Sequence, residues 1–86
     1  MGEEFMSDYF RLDRINPGER AVVRELKAEG SMRRRLMDIG LTANTGVECV
    51  GTSPMGDPAA YLIRGAVIAL RSRDCADIMV EYSRGD

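Results

Sequence analysis

The stretch "AAYLIRGAVIALR", Ala59–Arg71, decides how this chain folds. Two short apolar runs flank Arg64-Gly65, a pair suited to a tight turn between antiparallel strands. Strict alternation then sends Tyr61, Ile63, Ile68 and Leu70 towards a core. It sends Leu62, Val67 and Ala69 outward, which leaves an apolar stripe on the outer face of the hairpin.

The flanking sequence supplies more strands. "VECVGT", Val47–Thr52, reads as a strand with Val47 and Cys49 inward, and "IMVEY", Ile78–Tyr82, as a last strand with Ile78 and Val80 inward. "RAVVREL", Arg20–Leu26, is the first. Its Ala21 and Val23 share one face while Leu26 falls on the other, so a bulge near Arg24 and Glu25 is expected. Leu12 and Ile15 are apolar anchors ahead of a Pro17-Gly18 turn, "TANTG" is a further turn, and "SPMGDP" is a loop stiffened by Pro54 and Pro58. "SRDCAD" makes one helical turn with Ser72 as its cap. The expected fold is mainly β: a small, partly open barrel of about five strands with one or two short helices. Residues 1–9 read as a flexible acidic leader and residues 10–86 as the domain.

One helix is written into "GSMRRRLMDIGL", Gly30–Leu41. Met32, Leu36 and Ile39 recur at helical spacing along one face. Ser31 is a good N-cap residue. Gly40 suits the left-handed position after the last turn, with Leu36 and Leu41 placed to meet in a Schellman closure.

Composition narrows the function. The chain has 86 residues, 44% hydrophobic, no Trp and no His. Without His it lacks the commonest general base near neutral pH and the usual zinc and ferrous ligand sets. Cys49 and Cys75 form no C-x-x-C pair; Cys49 reads as a core residue and Cys75 as one exposed in its helical turn. Asp38, Asp57, Asp74 and Asp77 form no recognisable cation loop. No catalytic residue, resident metal or cofactor is expected. The N-terminus has acids where an export signal has bases, and no run nears the ~20 apolar residues of a membrane span. The expected location is cytoplasmic, without membrane insertion.

Taken together, these residues resemble the FeoA family of ferrous iron transport accessory proteins. The shared pattern is RRLxDxGL at Arg34–Leu41, a TxxTxVxV-like run at Thr42–Val50 with Gly46 between Thr45 and Val47, P-x-G-D-P at Pro54–Pro58, and G-x-x-[IL]-A-L-R at Gly65–Arg71. Four pieces in the same order, over roughly residues 11–82, make the likeness specific. It implies an SH3-like barrel and a cytosolic protein that assists FeoB, a membrane ferrous-iron transporter with a cytosolic G-protein domain. The same domain type ends DtxR-type metal-dependent repressors, behind a DNA-binding helical part for which this chain has no room. A regulatory module of that kind is therefore the alternative, with a small RNA-binding barrel behind it.

The candidate sites are surfaces. Arg33, Arg34 and Arg35 are three consecutive cations in a chain of net charge -2. Phosphate binding needs a broad basic face, and here acids interleave with bases, so no nucleic-acid partner is expected. The arginines read either as solvated helix residues whose stems cover the barrel rim, or as part of a surface that grips another protein. Met55, at an exposed loop tip, and Met37, beside Arg33, have the adaptable side chains of docking surfaces. With Leu62 and Val67 of the outer stripe they complete the candidate partner surface: Arg33, Arg34, Met37, Met55, Leu62 and Val67. Its occupant is FeoB on the family likeness, or a second copy in a homo-oligomer. The rival reading is that the leader folds over the stripe through Phe5, Tyr9 or Phe10.

Overall fold

A computed structural model describes residues 9–83. Its centre is the β4–β5 hairpin, Ala59–Ile63 and Ala66–Leu70. Arg64 (φ 50°) and Gly65 (φ 86°) both take left-handed backbone, the two-residue turn whose twist matches the strands it joins. The register runs unbroken from Ala59 opposite Leu70 to Ile63 opposite Ala66. Tyr61, Ile63 and Leu70 are buried as alternation predicts, and Ile68 is half-buried against the same core.

Around the hairpin lie β1 (Phe10–Arg11), a 3₁₀ turn (Leu12–Arg14), β2 (Arg20–Leu26), α1 (Gly30–Ile39), β3 (Gly46–Thr52), α2 (Ser72–Cys75) and β6 (Ile78–Tyr82). The strands form one antiparallel sheet in the order β1-β6-β2-β3-β4-β5. β1 and β5 do not pair, so the barrel is not closed. Six strands replace the five expected, because Phe10 and Arg11 pair with Val80 and Met79. Phe10 packs on Tyr82 with ring centroids 4.7 Å apart, at the end of the sheet away from the hairpin.

The bulge expected in β2 is present. The register against β6 shifts between Val23 and Glu25, which turns Leu26 back to the core. A second bulge between Cys49 and Gly51 in β3 leaves Val50 exposed. Leu12, Val23, Cys49, Ile63, Cys75, Ile78 and Val80 are each 0% exposed and make an aliphatic, sulfur-bearing interior.

α1 lies on the linker between β2 and β3 and buries Leu36, with Met32 and Ile39 half-buried beside it. Its C-terminus closes as expected. Gly40 (φ 115°) donates its N–H to the Met37 carbonyl at 2.9 Å, and Leu41 donates to Leu36 at 3.1 Å. These are the two bonds of a Schellman motif. The N-terminus differs from expectation: Ser31 lies inside the first turn, Glu29 precedes the helix in extended conformation, and no side chain caps it. The likewise expected Ser72 cap is also absent. That hydroxyl donates instead to Asp13 Oδ2 at 2.6 Å, tying α2 to the 3₁₀ turn.

Gly40 is restricted twice, since a Cβ there would lie 2.8 Å from Arg64 Cδ in addition to requiring strained backbone. Gly40→Ala should therefore destabilise the domain by about 1–3 kcal/mol in urea unfolding. A double-mutant cycle with Arg64→Ala should return a non-zero coupling; strict additivity would show that the two residues do not interact.

Candidate protein-docking surface

α1 presents the arginines. Arg33 donates from Nη1 to the Leu26 carbonyl at 2.8 Å, which anchors the helix over the end of β2 while leaving the side chain exposed. Arg34 and Arg35 are exposed and make no hydrogen bond or ion pair with the described residues. Met37, one turn after Arg33, is 42% exposed. Arg33, Arg34 and Met37 line one shallow open groove of about 430 Å³ with Gly30 and Asp38. The helix thus groups three of the six candidate residues in one groove, two cations and a methionine with the acid Asp38 among them.

The hairpin groups two more. Val67 is 64% exposed on β5, directly opposite Leu62 on β4. Leu62 is only half-buried, because Glu48 on β3 and Val67 flank it across the sheet. A second open groove, about 350 Å³, runs from Leu62 past Glu48 and Gly46 between Arg20 and Arg64. Phe10 is engaged with Tyr82, so it does not fold over the stripe, and Phe5 lies outside the described residues.

Met55 stands apart from both groups, 89% exposed at the tip of the β3–β4 loop. The loop is built to present it. Ser53 donates its N–H to the Pro58 carbonyl at 3.0 Å, and Gly56 donates to Ser53 at 2.8 Å. Asp57 Oδ1 accepts from the Ser72 N–H at 2.8 Å, which binds the loop to the end of β5.

Two arginines that the sequence did not single out organise this exterior. Arg64 reaches from the hairpin turn to the end of α1, donating from Nε to the Gly40 carbonyl at 3.4 Å and from Nη2 to the Thr42 and Thr45 hydroxyls at 3.3 Å each. A cation there also meets the negative end of the helix dipole. Arg24 joins Glu81 at 2.8 Å and Asn44 Oδ1 at 2.7 Å, tying β6 and the α1–β3 turn to the β2 bulge. Neither signal was readable in one dimension, since each arginine's partners lie about twenty or more positions away.

Inside, Cys75 is fully buried, contrary to the exposed position expected for it. It lies close to the buried Tyr61 hydroxyl. Burial pushes the Cys75 thiol up from 9.0 to about 12 and also raises Tyr61. This is not a thiolate environment. Among the described residues no three Cys, Asp or Glu side chains gather as a metal-binding group, and no helix is long and apolar enough to cross a membrane.

A family model described as the FeoA domain matches residues 10–82. The chain belongs to the FeoA family. Over 71 residues it is 31% identical to an Fe(2+) transport protein A/Fe(2+) transporter FeoB fusion protein from Porphyromonas gingivalis, covering 83% of this chain. The chain spans only 8% of the length of that relative. An FeoA-like protein from Clostridium acetobutylicum superposes with a TM-score of 0.82 at 30% identity, covering 92% of each chain. Zinc-complexed FeoA from Stenotrophomonas maltophilia, an SH3 domain protein, gives 0.70 at 25% identity over 84% of this chain and 89% of its own. A manganese-dependent transcriptional repressor shares the fold, with a TM-score of 0.74 at 20% identity over 87% of this chain and 42% of its own. This FeoA domain is thus an SH3-like fold of a ferrous iron transport family.

The buried thiol makes stability depend on alkaline pH. Cys75 holds its proton in the folded state up to about pH 12, whereas the exposed thiol of the unfolded chain releases it near 9.0. The folded state therefore binds more protons in that window, and stability must fall as pH rises through it. Urea midpoints measured from pH 8 upward should decline above about pH 9, and Cys75→Ala should flatten the decline. An identical slope in the variant would place the titration elsewhere.

Proposed function

We propose that this FeoA domain is a non-enzymatic, cytoplasmic regulator of ferrous iron uptake that acts by binding the cytosolic G-protein region of a FeoB-type transporter. The observation that carries this reading is the P. gingivalis relative, whose name joins transport protein A and transporter FeoB in one chain. Two activities fused in one chain work at high effective concentration, which favours a direct contact between them.

The surface chemistry supports the same reading. The α1 groove pairs cations with an exposed Met, and the hairpin stripe offers an exposed Val67 beside Leu62. Charged rims steer an encounter and apolar patches hold it. Such a regulator shifts a transporter only by binding one of its states more tightly than the other. No step of this reading needs chemistry at the domain's own residues. The likeness to the repressor stands at 20% identity and carries the fold alone, so it does not favour a DNA-linked role.

The test is capture of the FeoB cytosolic domain by this protein, with GDP and with a non-hydrolysable GTP analogue. Retention is expected to differ between the two nucleotides. Charge reversal at Arg33 and Arg34, or Leu62→Glu with Val67→Glu, should weaken capture by about tenfold, equivalent to about 1.4 kcal/mol, with thermal unfolding still cooperative. Unchanged capture by folded variants would refute the surface assignment.

A further inference from the structure

The two edges of the sheet are finished differently. An exposed edge strand offers unpaired backbone N–H and carbonyl groups to any extended chain, and proteins usually blunt it by shortness, a charge, a proline or a bulge. β1 is blunted by length, at two residues. β5 is not blunted by any of these. Its sequence, AVIAL, is uncharged and lacks proline, and its register against β4 has no bulge. Beyond the β4 ladder, no backbone hydrogen bond among the described residues reaches Ala66–Leu70. Ala66, Val67 and Ala69 are exposed, and the two alanines leave the backbone easy to approach.

Charge says what kind of chain fits. β5 is uncharged but is bounded by Arg64 before it and by Arg71 and Arg73 after it. Arg64 is turned to Gly40, Thr42 and Thr45. Arg71 and Arg73 are exposed and make no ion pair with the described residues. Of the nearby acids, Asp57 faces the Ser72 N–H and Asp74 is half-buried on α2. A second copy is a poor occupant. Antiparallel self-pairing would bring Arg71 of each copy alongside the Arg64-Gly65 turn of the other, placing like charges together. A five-residue strand is about 17 Å long, too little pairing for the ~1,200–2,000 Å² that a stable interface buries.

We infer that β5 docks an extended segment of a partner protein by strand addition. The segment runs antiparallel to β5, is apolar at alternate positions, and carries carboxylates at its N-terminal end, where it meets Arg71 and Arg73. Backbone pairing supplies the affinity and the flanking charges supply orientation. On the outer face the docked side chains meet Val67 and Ala69. Met55 stands at the same end as Arg71, because Asp57 holds its loop to Ser72. This inference deepens the proposed partner contact and rests on it.

The probe is an acetylated, amidated peptide, Glu-Glu-Val-Thr-Val-Thr-Val-Gly, titrated into the isotopically labelled protein and followed by amide shifts and hydrogen exchange. Shifts and slowed exchange should concentrate in Ala66–Leu70. A Lys-Lys version should bind about three- to tenfold more weakly, as expected for two exposed ion pairs. Arg71→Glu with Arg73→Glu should reverse that preference. Val67→Lys, at a site 64% exposed and therefore tolerant of charge, should abolish protection without altering the fold. Perturbation centred on another element, equal binding of the acidic and basic peptides, or protection of β5 by concentration-dependent self-association would each overturn the inference. If no peptide binds but capture of the FeoB cytosolic domain still depends on Arg33 and Arg34, the strand-addition mode fails and the transporter reading survives.

Discussion

The exterior of this domain depends on one close approach, that of the Arg64 side chain to Gly40. The hairpin turn and the end of α1 are formed by separate local rules, a left-handed pair in one case and a Schellman closure in the other. What places them together is the absence of a Cβ at Gly40, which lets the arginine lie across the helix end and bond its last carbonyl. The same guanidinium satisfies the Thr42 and Thr45 hydroxyls, which also bond each other at 3.0 Å. Helix, turn and hairpin are therefore held as one unit. That unit adds a further fixing point for the Arg33–Met37 groove, beside the Arg33 bond to the Leu26 carbonyl and the burial of Leu36.

How much of this was legible in the sequence follows from the range of each interaction. The hairpin, the inward sets of β3 and β6, the β2 bulge and the α1 stop signal all rest on neighbours within a few positions, and each appears where the pattern placed it. The two expected serine caps are absent for a common reason. A Ser before a helix is a good cap only if nothing else claims its hydroxyl or shifts the helix start. Asp13, distant in sequence, claims Ser72, and α1 begins two residues earlier than a Ser31 cap would require. The burial of Cys75 is not legible in the sequence because a single helical turn has no periodicity from which to read a face. It is the packing of α2 against the 3₁₀ turn and β6 that buries it. Strand β1 was too short to carry an alternation at all.

The candidate surface was legible residue by residue but not as a whole. Exposure of Val67, Met37 and Met55 follows from alternation, helical phase and loop position. Their division into an α1 groove, a hairpin stripe and an isolated tip depends on how far α1 sits from β5, which only the folded chain reveals. In the interior, burial keeps the Tyr61 hydroxyl and the Cys75 thiol protonated, while Cys49 and Thr45 are also buried. On the exterior, Arg24 and Arg64 are tied into the architecture while Arg34, Arg35, Arg71 and Arg73 face solvent.

The unequal finish of the two sheet edges is the last constraint to weigh. Closing the barrel by pairing β1 with β5 would satisfy both edges and remove the hazard that an uncharged edge poses. The two-residue β1 cannot do this, because it is too short to cover five residues of β5. The sheet therefore keeps β5 as an open edge in an unbroken register with β4. A regulator gains from such an edge only if what it binds is held loosely enough to be released. Under the strand-addition proposal, five residues of backbone pairing with two exposed cations at one end would give a contact in that range: directed by charge, and modest in strength because the pairing is short. Under the same proposal a longer β5, or an apolar groove deep enough to bury a side chain fully, would bind too firmly to be released, so the short open edge suits a reversible contact.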